Sequence, residues 1–222
     1  KIFNLLPDRI SPRLVLSTGI GLGSYATIIW ILAFVKYLYV WPCVAILLSI
    51  GVVGFNQIKF LFDDIVVSMN CVCSTFKNNG LIFRFILVIT LLQLLILLIS
   101  VLAPLANGDS IAVYLNLPKY WIREHQYYHP PDVVLGTIPA LMMILNAVGL
   151  LFDGPSLSML LSGWWMGILG ALTVYSITRL FSNVYSAIMA ACVFLLIPDV
   201  VRLFQTTKID LGWSFFDLSG IL

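Results

Sequence analysis

The chain has 222 residues, of which 61% are hydrophobic and 10% charged, with a mean hydropathy of +1.04. Soluble domains run at roughly 45–50% apolar residues, so this composition argues against one and predicts an all-α, polytopic membrane helical bundle. A formal net charge of +2 with no basic block gives no footing for nucleic acid, which directs the search for partners to membrane lipids.

The first residue is Lys1, and Leu222 falls inside an apolar run that begins near Trp213, so a fragment of a longer protein is expected. No cleavable signal peptide is visible, because the first apolar run starts only after Arg13 and is long enough to span. That run, residues 14–35, carries no charge. A shorter one follows at 39–55, with Pro42 in its first turn, where a missing N–H is tolerated. A hydrophilic loop with Lys59, Asp63, Asp64 and Lys77 is expected next. The third span, 81–105, is rich in Leu and Ile and has Arg84 near its start, where the long side chain can snorkel to the interface. Cys43, Cys71, Cys73 and Cys192 have no metal-site spacing and read as free thiols.

Residues 107–132, "NGDSIAVYLNLPKYWIREHQYYHPPD", form the longest polar interval. Three apolar runs follow at 133–152, 157–178 and 184–201, and then a second polar interval at 202–210. The run at 133–152 is the weakest span: it opens on "HPPD", contains Gly136, Pro139, Asn146 and Gly149, and closes on "FDGPS". Placing 1–13, the Lys59–Lys77–Arg84 region and the Arg179 turn in the cytoplasm collects seven of the twelve Lys and Arg there, a modest positive-inside bias. An interfacial or re-entrant helix at 133–152 is therefore expected, leaving Asp109 and Asp210 on one side of the membrane.

The first polar interval supplies Asp109 just beyond a spanning helix, then aromatics mixed with Lys119 and Arg123, which suits a short helix at headgroup level. Lipid headgroups are phosphates. A carboxylate beside them, with cations nearby and a second carboxylate from another loop, matches what transfer of a group from a lipid phosphate needs: a base for the acceptor hydroxyl and positive charge for the departing phosphate. Solvated loop charges and interface anchors are the plainer alternative. Lys119 and Arg123 are four apart and share a helix face, so both could grip one phosphate. His129 either donates to a phosphate or caps the helix before Pro130. Arg202 and Lys208 flank Asp210, and Glu124 suits an ion pair. Asp199 is expected to mark the end of the preceding helix. Asp217, inside an apolar run, would point into a cavity. The pair Trp164 and Trp165 reads as packing.

The order of these segments, with "GDSIAVYLNLPKYWIREHQYYHPPD", "GLLFDGPSLSMLLSGWWMGILGALTVYSITRLFSN" and "TTKIDLGWSFFDL", resembles the GT-C glycosyltransferases, in the branch of the protein O-mannosyltransferases and aminoarabinose transferases. The resemblance covers residues 81–222, read as the start of a GT-C-like module, with 1–80 as additional amino-terminal helices and a cytoplasmic loop. It implies an inverting transferase that moves a sugar from a polyprenyl-phosphate donor to an acceptor at the external face of the membrane. Under it Asp109 matches the acidic residue at the start of the first external loop, which in the family is the catalytic base or sits beside it, and Asp210 matches the acidic residue of the second; both are taken as the catalytic pair. His129, Pro130 and Pro131 match an "HPP" that opens the next helix. Lys119, Arg123, His129, Arg202 and Lys208 become the phosphate-facing set. Relatives often carry a second acid beside the first, where this chain has Ser110, and a Tyr-His pair where it has Tyr114-Leu115. Metal dependence stays open, a divalent cation such as magnesium or manganese and a metal-free reaction fitting equally. A lipid carrier or flippase and a non-catalytic scaffold are the rival functions.

Overall fold

In the computed structural model, which describes residues 10–78, 80–103, 108–128, 140–152 and 154–222, the described residues contain helices and no strand. Among the described residues, three helices are long and apolar enough to cross a membrane: Pro12–Phe34, Leu81–Val101 and Pro155–Phe181. The first lies in α1 (Ile10–Phe34) and the second is α3 (Leu81–Val101). The third joins α6 (Pro155–Met159), a π-helical turn at Leu160–Trp165 and α7 (Met166–Phe181). Gly154 precedes it at φ 93, a left-handed conformation that suits glycine, and Pro155 takes the first helical position.

The expected loop after the second apolar run is instead helix. α2 extends from Val40 to Asn78, through positions 59, 63, 64 and 77. No Gly or Pro interrupts residues 56–79, so charge alone does not stop the spiral. The break comes at Gly80, and Arg84 closes it by donating from Nε to Phe76 O at 2.9 Å and from Nη2 to Lys77 O at 2.7 Å. Expected as an interface snorkel, Arg84 satisfies carbonyls that the end of α2 would leave without donors.

The expected span at 184–201 is bent, and its two helices are long and apolar enough to cross only when taken together. α8 (Val184–Leu196) and α9 (Pro198–Phe204) meet at a 69° bend. Pro198 has no N–H and its ring drives Ile197 into extended backbone (φ −62, ψ 125), so the first helix ends at Leu196. Asp199 thus sits in the first turn of α9 rather than at the end of α8. α10 (Asp210–Ser219) follows, and Asp217 is exposed on it, not directed into a cavity.

Of the run at 133–152, residues 133–139 lie outside the described residues, and the remainder forms α5 (Ala140–Phe152). Thirteen residues cover only about 20 Å at 1.5 Å each, short of the ~30 Å hydrocarbon layer. The helix does not lie on the surface of the bundle. Met143, Ile144, Asn146 and Ala147 have no solvent-exposed area, and α5 packs against α1, α4 (Asn116–Glu124) and α6. α1 and α10 share its apolar core through Ala26, Ile29, Leu211 and Phe215. α3 enters this core only through Leu97, with Leu94 packed against it, and leaves Phe85, Leu92, Ile96 and Ile99 more than half exposed, a face suited to hydrocarbon.

Candidate functional site

Two chain segments nearly a hundred residues apart meet at one end of the helices. The first begins at Asp109 and winds into a π-helical turn, Ser110–Tyr114, before α4. The second is the stretch between α9 and α10, where Thr206 and Thr207 are buried and Lys208 is half-buried. Lys208 Nζ donates to Asp109 Oδ2 at 2.8 Å. Beneath that ion pair the Thr207 N–H donates to Ser110 Oγ at 3.3 Å. Two residues that the sequence places in separate polar intervals are therefore direct partners.

The pair is asymmetric. The Lys208 side chain is 18% exposed and that of Asp109 69%, so the ammonium is held by the fold and the carboxylate faces outward. The hydrogen bond from Lys208 holds the Asp109 carboxyl below the usual carboxylate range, with further help from the charges of Lys208 and Arg202. The same hydrogen bond raises Lys208 above the usual amine range. Arg202, on α9, thus belongs to the charge field around Asp109, although its side chain is exposed.

Asp210 opens α10, where a carboxylate is favoured by the positive end of the helix. It acts with Asp109 on one phenol. Tyr114 is raised first by burial and then by the charges of Asp210 and Asp109, with Lys208 opposing. Both proposed carboxylates and both cations of the second polar interval therefore lie within electrostatic reach of Tyr114 or Asp109. From the sequence Tyr114 stands out only as the position where relatives carry a Tyr-His pair, not as a candidate site residue. The available signal was its place at the end of the helical turn that starts beside Asp109.

Lys119 and Arg123 fall on α4, as expected of an amphipathic helix whose Leu117, Pro118 and Trp121 are buried. Both cations are exposed, and Arg123 lies 3.6 Å from Glu124. The structure thus pairs Asp109 with Lys208, sets Arg202 in the field of Asp109 and Asp210 in that of Tyr114, and leaves Lys119 and Arg123 exposed on α4. His129 lies outside the described residues.

α4 ends at His125, in left-handed conformation (φ 53), whose N–H bonds to Ile122 O at 3.2 Å while Gln126 N–H bonds to Trp121 O at 3.0 Å. The imidazole stacks on Tyr39 at 4.0 Å, and the Leu38 N–H donates to His125 O at 3.0 Å. The turn between α1 and α2 is thereby fastened to the same end of the bundle. Exposed Tyr37, Tyr39, Trp41 and Tyr128 cluster there, the side-chain chemistry of a membrane–water boundary.

The loop from Phe204 to Lys208 is seated between two π-helical turns. Ser110, in the first, holds Thr207, and Gly163, in the second, faces the carbonyls of Phe204 and Thr206. A Cβ at Gly163 would come within 2.5 Å of the Phe204 carbonyl oxygen and 2.7 Å of that of Thr206. Only a residue without one permits this approach.

For a divalent metal, no group of three or more His, Cys, Asp and Glu converges among the described residues. One oxygen of Asp109 is already engaged by an ammonium. The described donors do not make a metal cradle. Comparison of the chain with family models, characterised proteins and solved structures finds no match.

Proposed function

We propose that this chain is part of an integral membrane glycosyltransferase of the GT-C kind, which moves a sugar from a polyprenyl-phosphate donor to an acceptor hydroxyl at the external membrane face. The observation that carries the reading is the 2.8 Å contact between Lys208 and Asp109 at one end of apolar helices, with Arg202 and Asp210 in the same field.

A carboxylate paired with an ammonium is a weak base, and a lysine paired with a carboxylate is not free for phosphate. The donor resolves both. Its phosphate draws Lys208 away from Asp109, with Arg202 as the second cation, and the released carboxylate rises in basicity. Asp109 then takes the proton of the acceptor hydroxyl as the acceptor oxygen bonds to the anomeric carbon. The bond from that carbon to the phosphate oxygen breaks, its electron pair leaving on the polyprenyl phosphate, where the two cations stabilise it. Direct displacement inverts the anomeric centre. Asp210 orients the acceptor, and Lys119, Arg123 and the aromatics at the α1–α2 turn hold this end of the protein at headgroup depth.

Replacement Asp109→Asn in the full-length protein tests the assignment by consumption of polyprenyl-phosphate hexoses. Loss of the base lowers turnover by about a hundredfold or more. Unchanged turnover removes the transferase reading. Movement of the intact donor across the bilayer without hydrolysis would instead mark a carrier, a function that a broken helix such as α8–α9 also suits.

A further inference from the structure

We infer that Asn146, buried at the centre of α5, is a positioning residue that sets the separation of Asp109 and Lys208 by holding both of their loops on one side chain.

The sequence around it is "MMILNAVG", and Met143, Ile144 and Ala147 are without exposed area, as is Asn146 itself. An amide in such surroundings is costly unless its hydrogen bonds are made. Asn146 Nδ2 donates to Thr207 O at 2.9 Å and to Tyr114 O at 3.2 Å. Both acceptors are carbonyls, so the face turned to them must be the NH₂ group. Tyr114 ends the π-helical turn that begins beside Asp109, and Thr207 directly precedes Lys208. One planar group with two donors thus spans the two segments that carry the ion pair. Ser110 Oγ, accepting from Thr207 N, makes a second tie between the same segments.

The staple is itself anchored. Ser158 Oγ donates to Asn146 O at 2.9 Å, and Ser162 Oγ to Ser158 O at 2.7 Å, a line of buried hydroxyls running into the long helix Pro155–Phe181. The side-chain oxygen of Asn146 has no hydrogen-bond partner among the described residues. An apolar residue of similar size would avoid that cost, so the amide's contribution lies in its two donors. Asn146 acts through Lys208 and Asp109 and touches no reacting atom.

The role of this staple in catalysis rests on the transferase reading, but its test does not. The readout is the rate at which Lys208 reacts with an amine-directed acylating reagent, followed by mass spectrometry across alkaline pH, on the chain in phosphatidylcholine–phosphatidylglycerol nanodiscs without donor lipid. In the parent chain, Asp109→Asn speeds labelling of Lys208 severalfold, because the carboxylate that keeps its amine protonated is lost. In Asn146→Ala, labelling is already fast and adding Asp109→Asn changes it by less than twofold. Met143→Ala, which opens a cavity on the same helix but removes none of the hydrogen bonds that tie the two loops, lowers the melting temperature but keeps the severalfold response. A full response to Asp109→Asn in the Asn146→Ala background overturns the inference, as does an equal loss of response in Met143→Ala. Should Asn146→Ala fail to fold, Asn146→Gln is read instead: its displaced amide weakens the response, and an unchanged response overturns the inference. A transferase assay that fails while this coupling stands removes only the proposed reaction.

Discussion

Among the three described candidate spans, the most apolar helix and the most buried one are different helices. α3 has a mean hydropathy of 2.8 with 17% of its span buried, whereas Pro155–Phe181 has 1.6 with 56% buried. In water this would be inverted. Here a side chain facing hydrocarbon gains nothing by turning inward, so the outermost helix carries Leu and Ile all round. The inner helix carries Gly, Ser and Thr, which allow backbones to approach and hydroxyls to bond to the carbonyl one turn back. Thr173 and Ser176 do so at 2.8 Å, and Gly163 and Gly167 receive the loop end of α9.

The contrast breaks most severely at the close approach. Gly163→Val would push a branched side chain into the carbonyls of Phe204 and Thr206, at a cost of about 3 kcal/mol. Fluorescence-detected size exclusion after heating would show a large loss of folded protein, and an unchanged midpoint would mean that the loop does not lie against this helix. Next comes Met143→Ala in α5, a fully buried truncation that costs about 2 kcal/mol in the same assay. The matching truncation on the outer helix, Leu92→Ala, removes a half-exposed side chain and changes stability by less than about 0.5 kcal/mol. Equal effects at 143 and 92 would dissolve the distinction between inner and outer helices.

The smallest effect is that of pH at the loop end. Because the Asp109 pKa is lowered, its contribution to the tie is complete above the ordinary carboxylate range and is lost as pH falls through the lowered value. The Lys208 pKa is raised, so its contribution is complete below the ordinary amine range and is lost as pH rises through the raised value. Melting temperature is therefore flat across neutral pH and declines slightly at both extremes. Asp109 is largely exposed and solvent screens the pair, so the decline is small. Lys208→Met should flatten the alkaline limb, and a limb unchanged by that substitution would assign it to another group.

Much of the scaffold is legible as runs of uncharged apolar residues. The runs expected at 14–35, 81–105 and 157–178 correspond to the long helices Pro12–Phe34, Leu81–Val101 and Pro155–Phe181, because length and hydropathy are local properties of the chain. The stretch 56–79 is misread as a loop because its charges stand out while the absence of Gly and Pro, the stronger determinant, does not. Pro198 could have been read as a break, since the residue before a proline leaves the helical region. Asp109, Arg202, Lys208 and Asp210 are visible as polar residues at the ends of apolar runs. Their meeting is not, because contact between positions 109 and 208 depends on how the helices pack. Asn146 is the hardest case. Within its own sequence it looks like a blemish in an apolar run, and only the two carbonyls it reaches, from segments 32 and 61 residues away, give it a role.

The π-helical turn at Leu160–Trp165 also makes the chain sensitive to length. Such a turn holds one residue more than an α-helix needs over the same rise. Removing that residue would rewind the segment into regular α-helix with its flanking turns kept in register, whereas adding one more would rotate everything beyond it by roughly 100°. Gly167 would swing away from the Phe204 ring, and a bulkier neighbour would arrive in its place. A one-codon insertion at this site would thus unseat the loop before Asp210 while leaving every charged residue of the protein in the sequence.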